Sequence, residues 1–413
     1  MRDESGVSWI TRLRAEARDR FESLPWPTRE REEWRRTELD ASDLASFRPD
    51  GFSAGYCPDS GEPAAAAAFI RFGSKSCVEV AIARRWEAGG LRLFSLNAAE
   101  EGDVALLRDA FASTDDRVAV WHFAELGRGA FLSVPAGMQV DEPIYIEFEE
   151  AGGGRFAAPQ IAIDLGEGAG ATVVAWIRER GPNGLLCDAR TDVVLGKGAR
   201  LSLFEGQDFG PDSLFFRYAR ARLAEGSFLG RVEADFGCRQ ARTRMDCVLE
   251  GRSAEARLDG AFYCGPGQSA DVGTIQRHLS TGGKSRASYK GIASGGGRAV
   301  FQGLIDVAEG AAGTDAFLSN RNLLIGDAAR ADSLPTLKIA NDDVRCSHGS
   351  ATGRIGEEEL FYLQCRGFPR EEAQELILVG FFEEVLQRAP EAFREESLAL
   401  LRRSVGRASR EAG

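Results

Sequence analysis

This chain of 413 residues lacks most of the features that announce a function. It has only three histidines, and its eight cysteines form no C-x-x-C pair, so no zinc site can be read from it. The cysteines, at 57, 77, 187, 238, 247, 264, 346 and 365, are scattered as expected for free, mostly buried thiols in a reducing compartment. Against a net charge of -12 no block of lysine or arginine stands out, which argues against nucleic acid as a partner. No apolar run approaches the ~20 residues that cross a bilayer, and the opening MRDESGVSW has no signal-peptide core. A cytoplasmic protein without membrane contact is expected. No G-x-x-x-x-G-K-[ST] loop and no G-x-S-x-G elbow occur, so a nucleotidase and a serine hydrolase both lack their motif.

What the chain does have is glycine, 48 residues of it, much of it punctuating short β-branched runs. From about residue 118 such runs recur at 131–134, 144–149, 160–165, 172–177 and 191–195. The turn LGEGA at 165–169 is echoed thirty residues on by LGKGA at 195–199. Weaker echoes follow at 223–226, 249–251, 292–297, 307–310 and 324–326. A strand ending in an apolar residue, a glycine turn and another strand, repeated over some 200 residues, predicts a β-solenoid of stacked coils. A stack needs its ends covered, because bare strand edges pair with other chains. The helical blocks on either side are the expected caps.

The first hundred residues read differently. Trp9, Leu13, Ala17 and Phe21 recur at helical spacing, predicting an amphipathic helix that ends near Leu24. Thr28 is the expected cap of a second helix, a solvated one anchored by Trp34. A loose linker is expected at 51–68, then a small sheet from 68–72, 78–83 and 91–96, then a helix at 103–113. Beyond Gly353 come three helices. The first follows Gly356, the second opens at Pro369 with Ala373, Leu376, Ile377, Gly380, Phe381 and Val385 on one face, and the third opens at Pro390 with Phe393, Leu401 and Val405. The chain thus divides into a helical and mixed region at 1–115, a β core at 116–350 and a helical region at 351–413.

The densest chemistry lies at the seam, in 339–353, IANDDVRCSHGSATG. If this stretch is extended, Asp342, Val344, Cys346 and His348 share one face. A thiol beside an imidazole suits a metal ligand pair, a reactive dyad or a pair of buried neighbours. The other histidines are blander: His122 sits in an apolar run as a half-buried core residue, and His278 reads as structural or partner-facing. Phe381 and Phe382 are adjacent and cannot both face one narrow stripe, which leaves one of them for a partner or makes this a central helix packed on two sides.

Several of these stretches together resemble the SufB/SufD family of iron–sulfur cluster assembly. They are YKGI at 289–292, GGRAVFQG at 296–303, SNRNLL at 319–324, DDVRCSHG at 342–349, LFYL at 360–363, Arg366-Gly367 and Gly380-Phe381. VPAG at 134–137 and the arginine–glutamate–tryptophan start at 27–39 extend the likeness, and Ser347-His348-Gly349 resembles the SufD branch. GSAT at 349–352 and Cys365 depart from the usual pattern without removing a presumed functional residue.

The resemblance implies a right-handed parallel β-helix core between helical regions, serving as a non-catalytic scaffold. It implies pairing with a SufB-like homologue, a homodimer being the other pairing, and binding of the ATPase SufC through the C-terminal helices. Cys346 and His348 would line the interface where a transient iron–sulfur cluster is shared with SufB, no cofactor being held permanently. Thiolate and imidazole are both fit ligands for such a cluster, and two are too few to hold one alone. Phe361, Tyr362, Arg366, Phe381 and Phe382 would face the ATPase. Two enzymes stand as alternatives: a carbohydrate-active solenoid using Asp342 and Asp343, and a cysteine hydrolase using Cys346 and His348. Adjacent strand residues face opposite ways, which poorly suits the first.

Overall fold

The computed structural model describes residues 8–37, 39–49, 66–73, 78–100, 102–103, 105–182 and 184–411. Most of the expected linker at 51–68 lies outside them, as do Cys57 and Cys77. The core is a right-handed parallel β-helix of about eight turns, as the repeats and the resemblance predicted. Alternate strands build two facing sheets. One runs through Arg128–Val134, Pro159–Leu165, Leu185–Leu195, Leu214–Leu223, Gln240–Leu249, Ser269–His278 and Arg298–Val307 to Arg330–Ile339. The other runs through Ile144–Ala151, Gly170–Arg180, Arg200–Phe209, Phe228–Gly237, Glu255–Cys264, Lys284–Ser294 and Thr314–Ile325 to Val344–Arg354.

The glycine turns set the register. Leu165, Leu195, Leu223 and Leu249 stand side by side on successive coils, and His278, Val307 and Ile339 continue the column. In the turns at 165–169 and 195–199 two glycines have two tasks. A Cβ on Gly196 would come within 2.8 Å of the Glu167 main-chain nitrogen on the previous coil, while Gly198 takes φ +66°, which only glycine adopts freely. The echoes at 292–297 and 324–326 belong to the opposite edge of the stack, not to this column.

Between the sheets, inward residues of successive coils form an apolar core that surrounds a group of buried polar and charged side chains in its middle. The helical regions do not cap the stack as expected; they cover its two outer faces. Trp9, Leu13, Ala17, Leu107, Phe111 and Phe123 pack on the outside of the first sheet over Phe131 and Ala162. Leu378, Phe382, Val385, Phe393 and Leu401 pack on the outside of the second, over Trp176, Phe204, Phe236 and Tyr263. The apolar stripe of a helix is satisfied by a broad sheet face more fully than by a narrow edge.

Three local expectations fail for identifiable reasons. Residues 118–123, expected to begin the β region, form the helix Arg117–Glu125. Asp116 caps it through Val118 N–H at 2.8 Å, and burial on all sides removes the periodicity that separates helix from strand. The helix expected after Thr28 is only a 3-10 turn, Glu32–Trp34, anchored where the Trp34 indole donates to Asp116 at 2.5 Å. The first-block strands Ala68–Phe72 and Arg92–Ser95 make no sheet of their own. They extend the two solenoid sheets at Ile144–Ala151 and Arg128–Val134.

Candidate functional site

The stack ends at 330–354. Among the described residues Arg330–Ile339 and Val344–Arg354 are the last strands of their sheets, each hydrogen-bonded on one side only. No residue of either strand is buried. Leu337 and Ile339 carry on the inward columns of Ile305 and Val307 yet are 36% and 41% exposed. The interior of the solenoid therefore opens to the surrounding medium at this end.

Cys346 and His348 stand on that opening. They lie in register with Ala316 and Leu318, both buried inward residues of the previous coil. Two residues apart on a strand, they share its inward face at about 6.6 Å. The expected thiol–imidazole face exists, and it points along the core axis. Cys346 is half-buried against the core, and this burial raises its thiol pKa, with the Asp315 carboxylate adding to the rise and a backbone hydrogen bond at Ala316 opposing it. His348 is exposed. Asp342 does not share their face, since 342–343 is a bend before the strand. There the Asn341 carboxamide accepts from Asp343 N–H at 2.9 Å, closing the turn between the two terminal strands.

These features separate the possible chemistries. A cysteine nucleophile needs a depressed pKa, and here it is raised. Among the described residues no group of three or more His, Cys, Asp or Glu side chains is placed to hold a metal. The pair can offer two ligands to something that also holds ligands from elsewhere. His122 and His278 do neither. His122 is wholly buried rather than half-buried, its Nδ1 at 2.7 Å from Asp188 O, and His278 Nε2 lies 2.8 Å from Ser285 Oγ inside the stack.

A second surface lies on the C-terminal helices. Glu357–Cys365 exposes Phe361 and Tyr362, at 67% and 56%, and Arg366 donates to the Tyr362 hydroxyl at 2.6 Å. Phe382, expected to face the ATPase, is instead fully buried against Phe236, because the helix Arg370–Leu386 lies on the sheet through Leu378, Phe382 and Leu386. Phe381 stays half-buried over Lys290. The sequence placed Leu376 on the packed stripe, yet it is 43% exposed and joins Phe361 and Tyr362, with Phe368, as open apolar surface. Two phases of the 3.6-residue repeat are apolar on this helix, and only the sheet beneath chooses between them.

The family model for the SUF system FeS cluster assembly, SufBD core domain, matches residues 148–381, more than half of the chain. The chain belongs to this family. An iron-sulfur cluster assembly SufBD family protein of Mycobacterium bovis is 32% identical over 281 residues, covering 66% of this chain and 70% of the relative. SufD of Escherichia coli is 34% identical over 236 residues, 57% of this chain and 55% of SufD. SufB of Bacillus subtilis is 24% identical over 328 residues, 76% of this chain and 69% of SufB. The chain is a SufD-like member of the SufBD family. The matched stretch contains both the open coil and the exposed helix Glu357–Cys365.

Proposed function

We propose that this SufBD family protein is the SufD-like subunit of a cytoplasmic scaffold that builds and delivers nascent iron–sulfur clusters. Its open coil pairs with the corresponding coil of a SufB-like solenoid, and its helical region at 351–413 binds a SufC-like ATPase. The observation that carries the reading is the placing of Cys346 and His348 on the inward face of an uncapped coil. There a second solenoid can add ligands and cover Leu337 and Ile339 at once. The cluster is cargo, held only while both chains contribute ligands, and this chain performs no catalysis of its own. A thiol binds iron as the thiolate, so iron binding at Cys346 releases a proton, and burial, which raises this thiol's pKa, opposes that step in the free chain. Phe361, Tyr362 and Arg366, with part of Phe381, form the ATPase contact, which links hydrolysis in one subunit to the coil in another.

Anaerobic pull-down of the full chain from its native host tests this reading. An ATPase and a homologous solenoid should co-purify, and the Cys346→Ala and His348→Ala complexes should assemble fewer clusters. Normal cluster assembly by both variants would remove the proposed roles. Recovery of a homodimer alone would reassign the partner of the open coil.

A further inference from the structure

The solenoid core is polar in its middle. Glu205, Gln207, Arg231, Glu233 and Asp235 on one sheet, and Arg217 on the other, are at most 3% exposed. Arg231 donates to Glu205 at 2.6 Å and pairs with Glu233 at 2.9 Å, while Arg217 reaches Asp235 at 3.3 Å. These pairings leave atoms over. Among the described residues Arg231 Nη1, Asp235 Oδ2 and Gln207 Oε1 have no hydrogen-bond partner, and neither do Thr243 Oγ1, Thr274 Oγ1, Gln276 Oε1 and His278 Nδ1 across the core. All belong to side chains at most 3% exposed. All lie an even number of positions along their strands from inward core residues such as Leu201, Leu229, Ala241 and Val272, so all point inward.

The chemistry of the leftovers selects the ligand. Arg231 Nη1 can only donate, whereas Gln207 Oε1, Gln276 Oε1 and an ionised Asp235 Oδ2 can only accept. An anion would satisfy the first and repel the others, and a cation the reverse. Water satisfies both kinds. Leaving them all dry would cost a sum comparable with the stability of a whole domain.

We propose that the middle of the solenoid binds a line of ordered water molecules, held by Gln207, Arg231 and Asp235 on one sheet and Thr243, Thr274 and Gln276 on the other. Gln207 and Asp235 are register neighbours on adjacent coils, and Thr274, Gln276 and His278 are successive inward positions of one strand, so the anchors run along and across the stack. Burial pushes the Asp235 carboxyl up to about 7, and a wet interior gives that proton a way to exchange without unfolding. This inference is independent of the proposed scaffold role.

Oxygen-17 magnetic relaxation dispersion on the full chain tests it, with the Thr243→Val, Thr274→Val double variant as comparison. The wild type should show long-lived internal water, and the variant should lose part of that amplitude and unfold at a lower temperature. Valine has the shape of threonine without the hydroxyl, so a dry interior gives the opposite sign: a raised unfolding temperature, because two orphan hydroxyls are gone. Absent dispersion in the wild type, or the same amplitude in both proteins, would overturn the proposal, and the wild-type measurement decides even where the variant fails to fold.

Discussion

Lys290 donates to the main-chain carbonyl of Phe381 at 2.8 Å, beneath the Phe381 ring at 4.7 Å. It also pairs with the Glu384 carboxylate and is only 4% exposed. One ammonium thus ties the helix Arg370–Leu386 to the strand Lys284–Ser294, two coils before the open end. Lys290→Met keeps the stem and removes the charge. It should cost about 1.5–3 kcal/mol, the range of a charge-assisted hydrogen bond. Urea unfolding reads the loss, and faster amide exchange confined to 370–386 would place it on this helix.

Gly206 allows a second tie. A Cβ there would lie 2.3 Å from the Trp176 ring, which packs on Phe393 of the last helix at 5.1 Å between centroids. Gly206→Ala should therefore displace Trp176, costing about 1–3 kcal/mol by overpacking and loosening the helix Glu391–Glu411. Unchanged stability and exchange in that variant would count against this packing.

The open coil is functional surface by the proposed reading, so its side chains are cheap to change. Cys346→Ala and His348→Ala should each alter stability by no more than about 0.5 kcal/mol, as for surface positions, while lowering cluster yield in the reconstituted complex. A large drop in unfolding temperature would mark them as core residues instead.

Phe361, at 67% exposure, is likewise an open side chain on the C-terminal helices. Phe361→Asp should weaken ATPase binding by about tenfold or more, the loss expected of a buried aromatic anchor, with no change in unfolding temperature. Calorimetric titration against the purified ATPase checks both halves.

Acid stability should be governed by His122 and His278. Burial is the leading cause that lowers both imidazoles to about 4 from an ordinary 6.5. A base whose folded pKa is depressed contributes its full stability above pH 6.5, and loses it as pH falls from there through 4. Up to about 3 kcal/mol per histidine is at stake. His278→Leu, which restores the leucine of its register neighbour Leu249, should flatten part of that slope in urea titrations between pH 4 and 7.

The open coil shows where reading the sequence works and where it stops. Alternation in a strand is strictly local, so Cys346 and His348 could be placed on one face from spacing alone. Whether that face is inward, and whether another coil covers it, depends on Ala316 and Leu318 thirty residues earlier and on what stacks beyond. Spacing alone puts Asp342 on the same face, but spacing does not mark where a strand begins, and the Asn341 turn delays this one by two residues, to Val344.

The solenoid follows from chemistry local to each turn. Each LGxGA turn carries its own requirement, one glycine for the close approach of the previous coil and one for a positive φ, and equal spacing stacks the leucines between them. What the helices cover follows from long-range packing. Trp176 meets Phe393, and Phe236 meets Phe382, across separations that no local pattern encodes. Those contacts bury one of two apolar phases on the helix Arg370–Leu386, lay the helices along the faces and leave the last coil uncapped. The period of a chain is local chemistry, whereas the choice of which surface stays open is a competition among all its faces for the same apolar partners.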